Sequence, residues 1–135
     1  MLHHILPGFP PSVSPSSHAV ETDGLVFLTG QFPRDIDNPQ APLPEGIAAQ
    51  TTRTMGNLAR ALGALGMGLE HLVSVRVYLS AFERDYAAMN EAYAAALPPG
   101  GRPVRTCVGV TALVRGALIE IEAVARRADT GRTKD

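Results

Sequence analysis

Apolar positions recur along this chain with two periods, and each change of period marks a new element. Leu2–Leu6 is a short candidate strand, followed by a proline-rich stretch over 7–17 (PGFPPSVSPSS). Each proline there fixes φ and lacks a donor, so the stretch reads as an extended arm. His18–Thr22 and Leu25–Gly30 alternate as strands about Asp23-Gly24, a turn dipeptide that tolerates positive φ, and predict a hairpin. Residues 33–46 (PRDIDNPQAPLPEG) are polar, rich in proline, and read as a loop.

From Glu45 to about Gly66 the period lengthens. Ile47, Thr51, Met55, Leu58, Leu62 and Leu65 form one helical stripe, with Gln50, Arg53 and Arg60 expected on the solvated side. Gly66 and Gly68 are natural stops. Val73–Ser80 alternates again as a strand. Phe82, Tyr86, Met89 and Tyr93 then stripe a second helix that runs to Leu97 and ends at Pro98-Pro99-Gly100-Gly101. On this pattern Tyr86 and Tyr93 are core residues. Pro103–Val110 and Ala117–Arg126 complete the strands, and residues 127–135 read as a frayed tail.

The order β-β-β-α-β-α-β-β predicts a single α+β domain over 1–135, a mixed sheet with two helices packed on one face. The opposite face has no helix left to cover it. Strand alternation places Val104, Thr106, Val108 and Val110 in one row of the fifth strand, and Arg105, Cys107 and Gly109 in the other. In the last strand Ile119, Ile121, Ala123 and Ala125 oppose Leu118, Glu120, Glu122, Val124 and Arg126. If the apolar rows meet the helices, Arg105, Cys107, Glu120 and Glu122 share the uncovered face. That face is either simply solvated or an oligomer interface with charges set into it.

Composition narrows the partners. Hydrophobic residues make up 45% of the 135 and charged ones 19%, which fits a packed core. The net charge of −1 and seven aromatics (four Phe, three Tyr) supply neither a phosphate-binding field nor many stacking platforms, so nucleic acid is not the expected partner. One cysteine suits a reducing compartment, and no apolar run is long enough for a membrane span or secretory signal. Cytoplasm is the plain expectation. His3, His4, His18 and His71 show no metal-ligand spacing.

Arginine beside carboxylates has a chemical use. Its planar fork matches a substrate carboxylate, and a nearby carboxylate can polarise a water. The competing reading is that Arg105 merely pairs with Glu120 or Glu122 across strands. Cys107 similarly reads either as a nucleophile or as a small wall residue, and no base partner is evident for it.

Arg105-Thr106-Cys107-Val108 and Ile119-Glu120-Ile121-Glu122-Ala123 resemble the C-terminal signature of the Rid (YjgF-type) family of enamine/imine deaminases. SPSSHAV at 14–20 is similar to that family's G-P-Y-S-Q-A segment, LTGQFP at 28–33 to its S-G-Q-I-P turn, and Asn90-Glu91-Ala92-Tyr93 to its second-helix motif. The resemblance covers nearly the whole chain. It implies a chorismate-mutase-like fold and a homotrimer with active sites between subunits. It also implies a cofactor-free hydrolysis of 2-aminoacrylate-type enamines and imines to 2-keto acids and ammonia. By the same resemblance Arg105 would clamp the substrate carboxylate and Glu120 would position water and move protons. The backbone around Thr29 and Cys107 would line the pocket, with Asn90 beside it.

One departure bears on the substrate. The family's tyrosine falls on Ser16 and its glutamine on His18, which widens the pocket unless Phe9, Phe32 or His18 fills it. LVRG at 113–116 also replaces the usual Leu-Pro continuation. Two rivals to the deaminase remain: a sensor of 2-keto acids that uses Arg105 without catalysis, and the RNA cleavage or translation inhibition attached to some relatives.

Overall fold

The computed structural model describes residues 1–128. Six strands and two helices follow in the expected order: β1 (Leu2–His4), β2 (Ala19–Thr22), β3 (Leu25–Gln31), α1 (Ile47–Ala64), β4 (Leu72–Leu79), α2 (Phe82–Ala96), β5 (Val104–Gly109) and β6 (Ile119–Arg126). They form one mixed sheet in the order β1-β2-β3-β6-β4-β5, with only the β4–β5 pair parallel. The hairpin turns on Asp23 and Gly24, both at positive φ (50° and 77°), the two-residue geometry that follows strand twist.

α1 ends in a Schellman motif. Gly66 takes a φ of 77°, Met67 N donates to Leu62 O, and Gly66 N donates to Gly63 O. Both helices lie on one face of the sheet, where Met55, Leu58, Leu62 and Met89 bury against Val26, Val75, Val77, Ile119 and Ile121. The alternation read for β6 holds: Ile119, Ile121, Ala123 and Ala125 are buried on the helix side, and Glu120, Glu122 and Val124 face away.

β5 is turned over relative to the expectation. Val104 (69% exposed), Thr106 and Val108 (42%) lie on the open face, whereas Arg105, Cys107 and Gly109 face α2. The cause is local. A Cβ on Gly109 would stand 3.0 Å from Phe82 Cβ, so the strand packs close to α2 where no side chain is needed. Arg105 meanwhile finds aromatic rings and an amide on the helix. β-branched residues on an edge strand do not have to be core residues.

Gln50 also departs from the expected solvated side of α1. It is buried, donating to Pro44 O (2.9 Å) and accepting from Leu118 N (2.8 Å), and so ties the 33–46 segment to the start of β6. That segment itself is packed rather than loose, with Phe32, Pro33, Arg34 and Ile36 buried. Arg127, placed in the tail by sequence, is held by Glu21 (2.7 Å) and Leu65 O (2.7 Å). The rest of the expected fraying, over 129–135, lies outside the described residues.

Candidate active site: two half-sites on opposite faces of the sheet

Glu120 heads the first half-site. β3 spends two residues, Thr29 and Gly30, where β6 spends only Glu122, and this bulge separates the Leu28↔Ala123 and Gln31↔Ile121 pairs. Bulges re-aim neighbouring backbone. Here the Glu120 carboxyl lies over Gly30: a Cβ at that position would collide with Oε2 and stand 3.1 Å from Cδ. Glu120, Thr29, Ser16, Phe32 and Arg34 line a cavity of about 240 Å³. Three residues expected at the site from sequence (Ser16, Thr29, Phe32) therefore do meet Glu120.

The Glu120 carboxyl is half-buried and makes no hydrogen bond to another described residue. Burial raises its pKa above the ordinary carboxylate value, and the neighbouring charge of Glu122 adds to the rise. Glu122 has a different environment. It accepts the Tyr78 hydroxyl proton in a short hydrogen bond and lies 3.8 Å from Arg76. Of the two carboxylates, one is committed to neighbours and the other is available.

The second half-site gathers on the helix side. Arg105 donates to Asn90 Oδ1 (2.8 Å) and lies 5.0 Å from the Tyr93 ring and 5.9 Å from that of Tyr86. A longer contact (3.5 Å) reaches the Tyr86 hydroxyl. These neighbours hold the fork while leaving its charge without a carboxylate partner among the described residues. Asn90, Tyr93, Arg102 and Arg105 line a cavity of about 380 Å³. Tyr93 is buried (7% exposed) with its hydroxyl unpartnered, and burial raises its pKa. Tyr86 is partly exposed, so it is not the core residue expected; it braces Arg105 and stacks on Phe82 at 4.8 Å.

The cross-strand pairing of Arg105 with Glu120 or Glu122 does not occur. β4 separates their strands, and the faces differ: Arg105 sits level with buried Val75, and Glu120 with Tyr78 on the open side. Cys107 follows Arg105 onto the helix side and packs against the core. Burial raises its thiol pKa, which Arg105 only partly offsets. A thiol in that state is a poor nucleophile, and Cys107 borders neither the Glu120 cavity nor the Arg105 cavity, so it does not line the pocket as expected. Neither Phe9 nor His18 reaches the Glu120 cavity. His18 is buried, its Nδ1 accepting from Leu6 N (2.8 Å) and its ring tilted on Phe9.

Arg34 is a charged lining residue of the Glu120 cavity that sequence reasoning missed. It is 8% exposed and borders the Glu120 cavity, on a segment read as a polar loop. Ile36, an isolated apolar residue in that segment, was the available signal that the segment packs. Asn57 on α1 fixes the backbone there, donating to Phe32 O (3.1 Å) and Arg34 O (2.9 Å). Among the described residues no cluster of three or more His, Cys, Asp or Glu is placed to hold a metal ion. None of their helices is long and apolar enough to cross a membrane.

With two such half-sites on this fold, the comparisons with known proteins are informative. Residues 9–127 match the family described as Endoribonuclease L-PSP. The chain is 32% identical to the 2-iminobutanoate/2-iminopropanoate deaminase of Mus musculus, covering 86% of this chain and 84% of that one. It is 34% identical to the 3-aminoacrylate deaminase RutC of Acinetobacter baylyi, over 90% and 94%. The crystal structure of RidA from an Antarctic Psychrobacter superposes with a TM-score of 0.80 at 31% identity, over 88% and 94%.

The chain belongs to the Endoribonuclease L-PSP family, which also holds the RidA and RutC proteins.

Proposed function

We propose that this protein hydrolyses 2-imino acids, and their enamine tautomers, to 2-keto acids and ammonia without a cofactor. The observation that carries the reading is Glu120: a half-buried carboxylate with no hydrogen-bond partner among the described residues, raised in pKa and placed over Gly30 in a cavity. The deaminase names of the mouse and Acinetobacter relatives support it.

The chemistry needs little machinery. Arg105 holds the substrate carboxylate and so orients the imine carbon, which is already electrophilic. Glu120 takes a proton from water as the water oxygen bonds to that carbon, and the C=N electron pair moves to nitrogen, which is protonated in turn. The hydroxyl proton of the resulting carbinolamine is passed to its nitrogen, the C–N bond breaks with its electron pair leaving on nitrogen as ammonia, and the carbonyl forms. The sum is imine plus water to keto acid plus ammonia.

Arg105 and Glu120 of one chain face opposite ways, so the site we propose joins two copies within a homotrimer. Arg105 of one copy would meet Glu120 of the next. The open face offers the apolar surface for this, with Phe27 (45% exposed), Val104 and Val108 around Arg76, Tyr78 and Glu122.

The test is release of keto acid and ammonia from imines generated in situ by an amino-acid oxidase. Wild type should accelerate it, and Arg105→Ala and Glu120→Gln should lose the acceleration. If wild type accelerates no imine yet binds 2-keto acids through Arg105, the protein is a sensor.

A further inference from the structure

Arg34 is a buried guanidinium without a counter-ion among the described residues. Its own contacts are weak for a buried charge: one hydrogen bond to Pro11 O at 3.4 Å and the Phe32 ring at 5.4 Å. Buried charges are costly unless paired. The two aspartates nearest to it in sequence are already engaged. Asp35 accepts from the Asp37 and Asn38 amides, and Asp37 pairs with Arg60.

Arg34 borders two cavities. One is the 240 Å³ space holding Glu120, and the other, about 380 Å³, holds Arg115 as well. Arg115 sits at a φ of 56° and donates to Pro39 O (2.9 Å) and Ala41 O (3.0 Å), so a second positive charge is fixed behind the first. Burial and the charge of Arg115 both pull the Arg34 pKa down, yet a guanidinium stays protonated in proteins. Arg34 itself has no anionic partner among the described residues, since Glu120, the carboxyl of the same cavity, makes no hydrogen bond to it. Ser16, small and exposed, lines the same cavity and leaves room for one.

We propose that the side-chain end of the substrate carries a second carboxylate, bound by Arg34 with Arg115 behind it. The preferred substrates are then 2-imino dicarboxylic acids. This rests on the deaminase reading and adds the substrate class. In the complete site Arg105 would take the carboxylate next to the imine, Glu120 the water, and Arg34 the distal carboxylate.

The experiment compares imines generated in situ from aspartate, glutamate, alanine and leucine, using wild type, Arg34→Met, Arg34→Lys and Arg115→Gln. Wild type should favour the acidic imines by about tenfold in kcat/KM, the worth of one charge-assisted contact. Arg34→Met should lower kcat/KM for the acidic imines more than for the alanine- and leucine-derived ones, and Arg34→Lys should restore part of that difference. Arg115→Gln, at an exposed position, should reduce the preference by about threefold and serves if Arg34→Met does not fold. Equal loss on all four imines in Arg34→Met, or a wild type that favours the apolar ones, overturns the assignment and leaves the deaminase standing. Should no imine be accelerated, the deaminase reading falls. Calorimetry then decides on Arg34: glutarate binding tighter than butyrate in wild type but not in Arg34→Met upholds the anion site, and equal binding overturns it.

Discussion

Arg105 and Glu120 stand on opposite faces of one sheet, with β4 between their strands. At about 4.8 Å per strand step, their backbones are already about 10 Å apart before the faces are considered. A single chain cannot close both around one small imine.

Sharing between copies therefore predicts complementation. Arg105→Ala and Glu120→Gln chains, each inactive alone, should recover activity when mixed and reassembled. Random assembly in equal amounts leaves about a quarter of shared sites with both residues intact. A site contained within one chain would recover none, and light scattering on the same samples reports the oligomer.

Gly30→Ala should act on Glu120 alone. The added methyl displaces the carboxyl, which is the movable end of a side chain, so folding survives. Turnover should fall by about tenfold or more with little change in Tm. A turnover equal to wild type would show that the carboxyl need not lie over the bulge.

The pH profile follows from the raised pKa of Glu120. As a base it works when ionised, so kcat/KM should rise with pH through a midpoint above the ordinary 4.5. Glu122→Gln removes the like charge that contributes to the shift, and should move this midpoint to lower pH. Stability should show the opposite preference. A carboxyl with a raised folded pKa favours folding in its protonated form, so Glu120→Gln should melt above wild type once the pH exceeds the folded pKa. The two should coincide below the unfolded one.

Glu21 titrates with the opposite sign. Arg127 foremost, and then His4, hold its carboxyl below the ordinary value against the opposing effect of burial. The stability it contributes is present above the unfolded pKa near 4.5 and is lost as pH falls through the depressed folded value. Glu21→Gln should lower stability at pH 7 by about 1 kcal/mol, or about 4 °C in Tm, and the difference should vanish in acid. An equal deficit at both pH values would assign the loss to packing.

The hairpin about Asp23-Gly24, both helices and the face of β6 were legible because local rules suffice there: turn chemistry, a helical stripe closed by glycine, and strict alternation. β5 misled because it is an edge strand. Alternation correctly grouped Arg105 with Cys107 and Gly109, but apolarity chose the wrong row as buried, since the helix side recruits Arg105 through Tyr86 and Tyr93. Gln50 and Arg34 misled for a related reason. Their burial is set by partners distant in sequence, Leu118 for one and Pro11 for the other. Of the candidates the motifs named, Glu120, Ser16, Thr29 and Phe32 border one cavity and Arg105 and Asn90 another, a division the motifs did not carry. That depends on sheet order, and no single strand carries it.

Asn57 reaches across from α1 to hold the carbonyls on either side of Pro33. Those bonds grip the main chain and ignore what hangs from residue 34. The occupant of that position can therefore be exchanged by a single codon while the ribbon beneath stays pinned, and the Glu120 carboxylate of the same cavity need not move. On the proposed reading, position 34 is where descendants of this sequence can change what they consume without relearning how to fold.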